Sequence, residues 1–260
     1  MISLLPSRAL IAVSGPDWAS FLQGLLTQNV ETLDLGEARF AALLTPQGRL
    51  LFDLFLVGRP EGCWIDCLAD RREALIQRLS IYRLRAKVEI KADSGPVLAA
   101  WGEDPGAGWT PDPRLPELGW RGYGLNVTPT ATEADYDDHR LGLGVPGSAD
   151  WGEDKTYPIE ANFDLLHGID FKKGCFVGQE TTSRMKRRGT VKSRMLPVEF
   201  EGAVPPAGTE ILAGTLRAGE LLSGGAGRAM ALARLDRIEG ASLEVDGRAC
   251  QAVRPPWMDI

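Results

Sequence analysis

Apolar residues in the first 90 positions follow two spacings, and each predicts a type of element. The residues that predict a first helix recur at intervals of three and four: Trp18, Phe21, Leu22, Leu25 and Leu26. Apolar runs at 40–44 and 50–57, joined by Pro-Gln-Gly at 46–48, predict a β-hairpin. A second helix is expected over 70–79 and a strand over 85–90, so this region is predicted to mix helices with strands.

The pattern changes twice further along the chain. Frequent glycine and proline over 91–127 predict short strands and long loops, and short helices are expected at 133–141 and 162–167. After Arg194 the sequence consists of short apolar runs separated by turn residues, as in a small barrel or sandwich. These runs lie at 195–200, 209–212, 219–222, 229–235 and 242–245. We therefore predict an α+β region of two subdomains over 1–192 and a β domain over 193–260.

Composition narrows the classes of function. An apolar fraction of 44%, a charged fraction of 25% and a net charge of −6 are ordinary for a folded domain and argue against nucleic-acid binding over the whole surface. The first 15 residues resemble neither a secretory signal nor an organelle presequence, and no apolar run approaches the roughly 18 residues of a membrane span. The absence of a long apolar run predicts no membrane contact. The four cysteines show no CxxC pair and no metal-ligand spacing, so we expect free thiols and no bound metal. Free thiols in turn suggest a cytoplasmic location.

The segment 171–180, Phe-Lys-Lys-Gly-Cys-Phe-Val-Gly-Gln-Glu, holds the most distinctive chemistry. Two lysines precede Cys175, and Gly178 is expected to open a helix. Ammonium groups and a helix N-terminus both favour a thiolate, which makes Cys175 the candidate reactive thiol. Gly174 and Gly178 would let the backbone turn tightly beside a ligand. The alternative is that Cys175 is a small buried apolar residue in a structural turn.

The string Lys173-Gly-Cys-Phe-Val-Gly-Gln-Glu180 resembles the K-G-C-x-x-G-Q-E signature of the YgfZ family, which includes the Iba57-type proteins and is related to the glycine cleavage T-proteins. The resemblance extends over about residues 15 to 235. Its further matches, in chain order, are 21–27, 44–49, 82–85, 112–114, Gly119, Arg121, Arg140, Gly144, Pro146, 158–162 and Arg184.

This resemblance implies a GcvT-like aminomethyltransferase fold, an α+β folate-binding region around a central cavity followed by a C-terminal β-barrel. It implies tetrahydrofolate as ligand, a role in maintaining iron–sulfur enzymes with an effect on tRNA modification, and iron–sulfur assembly proteins or client enzymes as partners. Cys175 is then a reactive or ligand-donating thiol beside the folate. The residues assigned to folate or the cavity are Asp53, Arg140, Glu160, Lys173, Gly174, Gly178, Gln179, Glu180 and Arg184. For Arg140 and Glu160 a structural salt bridge is the alternative.

The chain departs from the T-proteins in the predicted hairpin. Where T-proteins resemble it they carry G-G-x-x-D-D-L with two adjacent acids, and this chain has Phe52 before Asp53. An acid near the folate amine assists proton movement, so the incomplete pair weakens the case for one-carbon transfer. Asp53 points either into the cavity or to the solvent side of the hairpin. We therefore prefer a folate-binding accessory protein without turnover of its own, with a folate-dependent one-carbon transferase as the alternative.

Basic residues are concentrated directly after the signature. Between 172 and 194 one acid, Glu180, stands among eight basic residues: Lys172, Lys173, Arg184, Lys186, Arg187, Arg188, Lys192 and Arg194. Such a concentration attracts anions, either a polyglutamylated folate tail or a tRNA backbone, although the aromatic residues that stack on bases are few here. A solvated helix face that covers the joint with the β domain is the alternative.

Overall fold

The computed structural model describes residues 1–189, 191–225 and 227–259. Among these residues, two antiparallel sheets form the N-terminal region, one of five strands in the order β3-β4-β5-β2-β6 and one of four in the order β1-β7-β9-β8. Their strands are β1 Ile2–Leu4, β2 Arg8–Ser14, β3 Ala38–Leu44, β4 Leu50–Arg59, β5 Gly62–Leu68, β6 Glu89–Asp93, β7 Val97–Ala100, β8 Trp109–Pro111 and β9 Trp120–Tyr123.

Both faces of the five-stranded sheet are covered, which explains the nearly unbroken apolar sequences of β3 and β4. Because neighbouring strand residues point to opposite faces, Leu43 and Leu54 pack beneath the first two helices, while Phe40 and Phe55 face the opposite side. There Phe40 stacks on Phe163 with ring centroids 4.4 Å apart. The hairpin expected from the sequence is present, with Ala38 opposite Val57.

Helices occupy most of the positions that the periodicity predicts. They are α1 Trp18–Gln23, α2 Arg72–Arg83, α3 Glu133–Gly142, α4 Ser148–Trp151, α5 Gln179–Arg188 and α6 Leu235–Ile238. The segment 162–167 forms turns instead of the expected helix, since Asn162 and His167 have φ angles of 62° and 57°. Of the described residues, no helix has the length and apolar character to cross a bilayer.

A closed barrel follows in the order β10-β13-β12-β11-β14-β15. Its strands are β10 Ser193–Phe200, β11 Glu210–Ala213, β12 Leu216–Gly225, β13 Arg228–Arg234, β14 Leu243–Val245 and β15 Arg248–Ala252. Arg194 joins the barrel to the N-terminal region, since its guanidinium donates to Asp164 at 2.8 Å and to Asn162 at 3.1 Å. The Asn162 side chain therefore contacts β10, through Arg194 and the carbonyl of Met195. The α+β region followed by a β-barrel is confirmed.

Candidate functional site

A cavity of about 300 Å³ lies where the two sheets meet α3, α4 and the barrel. Its aromatic walls come from Phe40, Phe55, Tyr136 and Trp151. Its cationic residues are Arg8, Arg114, Arg121 and Arg140, and its acidic residues are Asp53, Glu133, Asp137 and Asp138. We call this the central cavity. Its volume lies at the lower end of the range typical of small-molecule sites, which is about 300–1,000 Å³.

Two buried carboxylates hold the arginines of the cavity in place. Asp66 accepts hydrogen bonds from Arg8 at 2.7 Å and Arg121 at 2.5 Å, while Asp112 accepts from Arg114 at 2.7 Å. Burial alone would raise the pKa of Asp66, but the two guanidinium groups outweigh it and the pKa is lowered. Guanidinium groups lower the pKa of Asp112 in the same way. Both acids are therefore ionised at neutral pH, and each fixes arginine side chains in the cavity wall.

Asp53 lies in the wall of the central cavity and is already engaged. Its carboxylate accepts from Arg8 at 2.8 Å and from the Ser148 hydroxyl at 2.9 Å. Phe52 lies on the opposite face of β4, beneath the guanidinium of Arg71 at 4.4 Å. A side chain at position 52 thus points away from the cavity, so the phenylalanine there removes no acid from the cavity itself.

Arg140 also lines the central cavity, on the last turn of α3. It donates to the carbonyl of Val145 at 2.6 Å and lies 3.5 Å from the carboxylate of Asp150. The structure thus realises the salt bridge considered as the alternative for Arg140, and it places the same side chain at the cavity. The Arg140 guanidinium therefore both pairs with Asp150 and lines the central cavity.

Cys175 is exposed and does not belong to the central cavity. In the part of the chain that the structure describes, the residues lining that cavity come from other segments. The thiol therefore does not lie beside the central cavity, where we expected it from the sequence. Cys63 and Cys67 are buried, and burial raises the pKa of the Cys67 thiol to about 12.

Lys173 is held by main-chain carbonyls and does not line the central cavity. Its ammonium donates to the carbonyls of Gln23, Leu26 and Gln28 at 2.6, 2.6 and 2.9 Å. Burial lowers the pKa of Lys173 to about 8. This corrects its assignment to the cavity, because the ammonium is engaged by the end of α1 and the turn after it.

Gly178 has a steric role at the start of α5. Its φ is 77°, and a Cβ there would lie 2.5 Å from the carbonyl oxygen of Thr45 and 2.9 Å from the Cα of Gly48. The hairpin turn and the helix start therefore touch backbone to backbone. Gly174, by contrast, is exposed, and a Cβ at that position would meet open space.

The remaining predicted residues lie in two grooves on either side of α5. Glu160 and Arg184 line one of about 500 Å³, and Gln179 and Glu180 line the other of about 510 Å³. Burial raises the pKa of Glu160, whose carboxylate accepts from the backbone amide of Tyr157 at 3.0 Å. Within the described residues, neither groove shares a lining residue with the central cavity. The residues predicted to form one site are therefore distributed over the central cavity, the two grooves beside α5 and positions outside all three.

Sequence reasoning missed the network around Arg8, Asp66 and Ser148. One signal was present, since Asp66 is a charged residue within an otherwise apolar strand, between Ile65 and Cys67. Among the described residues, no three His, Cys, Asp or Glu side chains are grouped so that they could hold a metal ion.

The chain is similar to known proteins over most of its length. Residues 192–260 match the family model of the CAF17 C-terminal beta-barrel domain. The chain is similar to the iron-sulfur cluster assembly factor IBA57, mitochondrial, of Mus musculus, at 30% identity over 97% of this chain and 84% of that protein. The human protein of the same name is 30% identical over 91% of this chain and 78% of its own length.

A fungal relative and a solved structure extend these similarities. The Neurospora crassa IBA57 homolog is 34% identical over 78% of this chain, and the chain covers only 55% of its length. The crystal structure of the glycine cleavage system aminomethyltransferase T from Bartonella henselae superposes with a TM-score of 0.77, at 19% identity, over 98% of this chain and 85% of that one. The expected GcvT-like fold is confirmed.

The names of the relatives correct the location expected from the sequence. The mouse, human and Neurospora proteins are all named as mitochondrial. The cytoplasmic location inferred from free thiols and from the first 15 residues is therefore wrong. Free thiols indicate a reducing compartment without saying which one.

Proposed function

Because the chain belongs to the IBA57 family of iron–sulfur cluster assembly factors, we propose that it is an accessory protein in iron–sulfur cluster assembly whose working group is the thiol of Cys175. The observation that carries this proposal is the exposure of that thiol. All four cysteines lie within the described residues, and Cys175 is the exposed one, whereas Cys63 and Cys67 are buried and Cys250 is half-buried.

One thiol cannot hold a cluster alone, because iron–sulfur clusters are bound by several thiolates, usually four. Among the described residues, no cluster of three or more His, Cys, Asp or Glu side chains could hold a metal ion. We therefore propose that the cluster is a substrate shared with a second protein, which supplies the remaining thiolates. Cys175 would donate one ligand during assembly or repair, and an effect on tRNA modification would follow only through client iron–sulfur enzymes.

We further propose tetrahydrofolate as the ligand of the central cavity. Among its aromatic residues, Tyr136 and Trp151 offer apolar surface to a flat pterin ring, and guanidinium groups pair with carboxylates such as those of the glutamate tail. Arg140 and Arg114 are the residues we assign to that tail. Bound folate supplies one-carbon chemistry in other proteins; here the described residues would bind and orient it.

The alternative, a folate-dependent one-carbon transferase, has one observation in its favour, the presence of Asp53 in the cavity wall. Its carboxylate is already paired with Arg8 and Ser148, so a proton-transfer role would require it to leave both. This pairing favours the accessory role. A turnover assay with tetrahydrofolate and one-carbon donors separates the two functions.

One experiment with two measurements tests the proposal. We expect Cys175→Ser to abolish rescue of iron–sulfur enzyme activity in cells that lack the protein, and to leave the affinity for 5-formyltetrahydrofolate unchanged, because Cys175 does not line the central cavity. Cys250→Ser is the matched control and should rescue fully. Full rescue by Cys175→Ser would remove the thiol from the function, and absence of folate binding by the unmodified protein would refute the folate assignment.

A further inference from the structure

Five exposed cations around α5 have no partner among the described residues. The side chains of Lys172, Arg184, Arg187, Arg188 and Lys192 make no hydrogen bond and no ion pair with any residue in 1–189, 191–225 or 227–259. We call these five residues the basic surface. Other basic residues of the same stretch are engaged, since Lys186 and Arg194 both pair with Asp164.

The basic surface flanks two grooves and is not a smooth face. Arg184, Arg188 and Lys192 line the groove of about 500 Å³ on one side of α5, and Arg187 lines the groove of about 510 Å³ on the other. The described lining of each groove contains one acid, Glu160 or Glu180. The cations therefore outnumber the acids in a concave region, where an inserted acidic side chain would meet several of them at once.

Helix stability does not account for this accumulation of charge. Arg187 and Arg188 lie in the last turn of α5, where the helix dipole favours cations. Arg184 lies one turn earlier and faces Arg188 at a spacing of four, which is repulsive. Lys172 and Lys192 lie outside the helix. A binding role explains all five residues, whereas the dipole explains two.

We propose that the basic surface docks an acidic face of the protein that completes the cluster ligands at Cys175. This rests on the proposed function, in which a second protein must reach that thiol. Lys172 and Gln179, the first residue of α5, are three and four residues from Cys175, so chain geometry keeps them within about 11 and 14 Å of it. A protein that shares a cluster there must cover the start of the basic surface.

Two observations favour an acidic protein over RNA. Each groove has one aromatic residue in its described lining, and a cation lies over each ring: Arg49 over Tyr157 at 4.7 Å and Lys186 over Phe171 at 5.4 Å. Binding of single-stranded RNA uses several rings for successive bases, which these grooves do not offer. Residues 172–194 carry +7 in a chain of net −6, so the rest of the chain carries −13. That charge repels a long RNA, which extends beyond the basic surface, more than it repels a short acidic segment that lies on that surface. The folate tail is also unsuited, because in the described structure both grooves are separate from the central cavity.

Charge reversal on the full-length protein tests the docking surface. The probe is a fluorescein-labelled oligoglutamate, with an oligouridine of equal length for comparison, and binding is followed by anisotropy at low and moderate salt. We expect Arg184→Glu/Arg188→Glu to weaken oligoglutamate binding about tenfold or more. The matched control, Arg78→Glu/Arg85→Glu, makes the same change in net charge at two exposed positions that line neither groove, and should stay within about twofold of the unmodified protein.

Three outcomes of the binding measurements would overturn the proposal: no oligoglutamate binding, equal losses in both double variants, or tighter binding of oligouridine than of oligoglutamate by the unmodified protein. Circular dichroism of each variant checks that the fold is retained. Cys175→Ser should bind the probe normally. In the cellular rescue assay, failure of Arg184→Glu/Arg188→Glu with success of the control supports docking. Rescue by that variant while Cys175→Ser fails would refute the docking surface and leave the thiol role intact.

Discussion

The ammonium of Lys173 replaces hydrogen-bonding water for three carbonyl groups, those of Gln23, Leu26 and Gln28. These carbonyls lie at the end of α1 and in the turn that follows, where a helix leaves its last acceptors without intrahelical donors. Lys173 satisfies them from a segment 150 residues away in the chain from Gln23. The first residue of the signature thus fixes the position of the segment that carries Cys175.

Removing this ammonium should destabilise the fold. We expect Lys173→Met to lower the free energy of unfolding by about 2–3 kcal/mol, because three acceptors lose a charged donor while the side-chain volume is nearly kept. Urea unfolding followed by tryptophan fluorescence measures the loss. The neighbouring Lys172→Met is the control, and a change within about 0.5 kcal/mol is expected there because that side chain is exposed. Equal effects of the two variants would contradict the capping role.

At the scale of single elements, the hairpin between β3 and β4 and the start of α5 position each other. Gly48 and Gly178 both have positive φ, 85° and 77°, and a Cβ on Gly48 would lie 2.9 Å from the carbonyl oxygen of Gly178. Each glycine thus allows the backbone of the other to approach. The same contact orients α5, on whose exposed side the basic surface lies.

A methyl group at position 178 should push the β3–β4 hairpin turn away from the start of α5. We expect Gly178→Ala to cost more than about 2 kcal/mol, since it adds an unfavourable left-handed conformation to a clash with backbone atoms that cannot rotate away. Gly174→Ala, four residues earlier in the same signature, meets open space and should change the stability by less than about 0.5 kcal/mol. Thermal unfolding of the two variants measures the difference. A similar midpoint for both would show that the hairpin contact is dispensable.

Periodicity predicts the elements whose conformation depends on local sequence. The helix after Trp18, the hairpin and the runs of the barrel follow from spacing and turn residues, which act over a few positions. The composition of segment 162–167 permits a helix, and the prediction of one there is wrong. Its backbone is set instead by distant contacts, including the hydrogen bond of Asn162 to the carbonyl of Met195 at 2.6 Å. The spacing of residues within 162–167 cannot predict a contact with a residue so distant in the sequence.

At the scale of the whole molecule, the sequence reveals the signature but only two of the residues that line the central cavity, Asp53 and Arg140. Residues 171–180 are contiguous, so a motif is enough to find them. The central cavity takes Arg8 from β2, Arg121 from β9 and Arg140 from α3, which only the packing of two sheets brings together. For the same reason the sequence predicts one site, whereas the exposed thiol and the basic surface lie outside the central cavity.

Asp66 is a buried carboxylate that links the two sheets. It lies on β5 of the five-stranded sheet, is fully buried, and accepts from Arg121 on β9 of the four-stranded sheet as well as from Arg8. The guanidinium of Arg121 also covers the Phe55 ring at 3.9 Å. Loss of the carboxylate charge would leave two buried guanidinium groups near each other without their shared anion.

We expect Asp66→Asn to lower the free energy of unfolding by about 3–5 kcal/mol at neutral pH. The pKa of Asp66 is lowered on folding, so its contribution is complete above the unfolded value of 3.8 and is lost as the pH falls through the lower folded value. The difference in unfolding free energy between the unmodified protein and Asp66→Asn should therefore stay constant from about pH 7 to about pH 4 and narrow as the pH falls further. Glu89→Gln, which breaks the exposed pair with Lys91, is the control and should cost at most about 1 kcal/mol at neutral pH. A loss for Asp66→Asn as small as that of this control would contradict the role of the shared anion. Apolar packing would then hold the two sheets together, and Asp66 would not be needed to position Arg8 and Arg121.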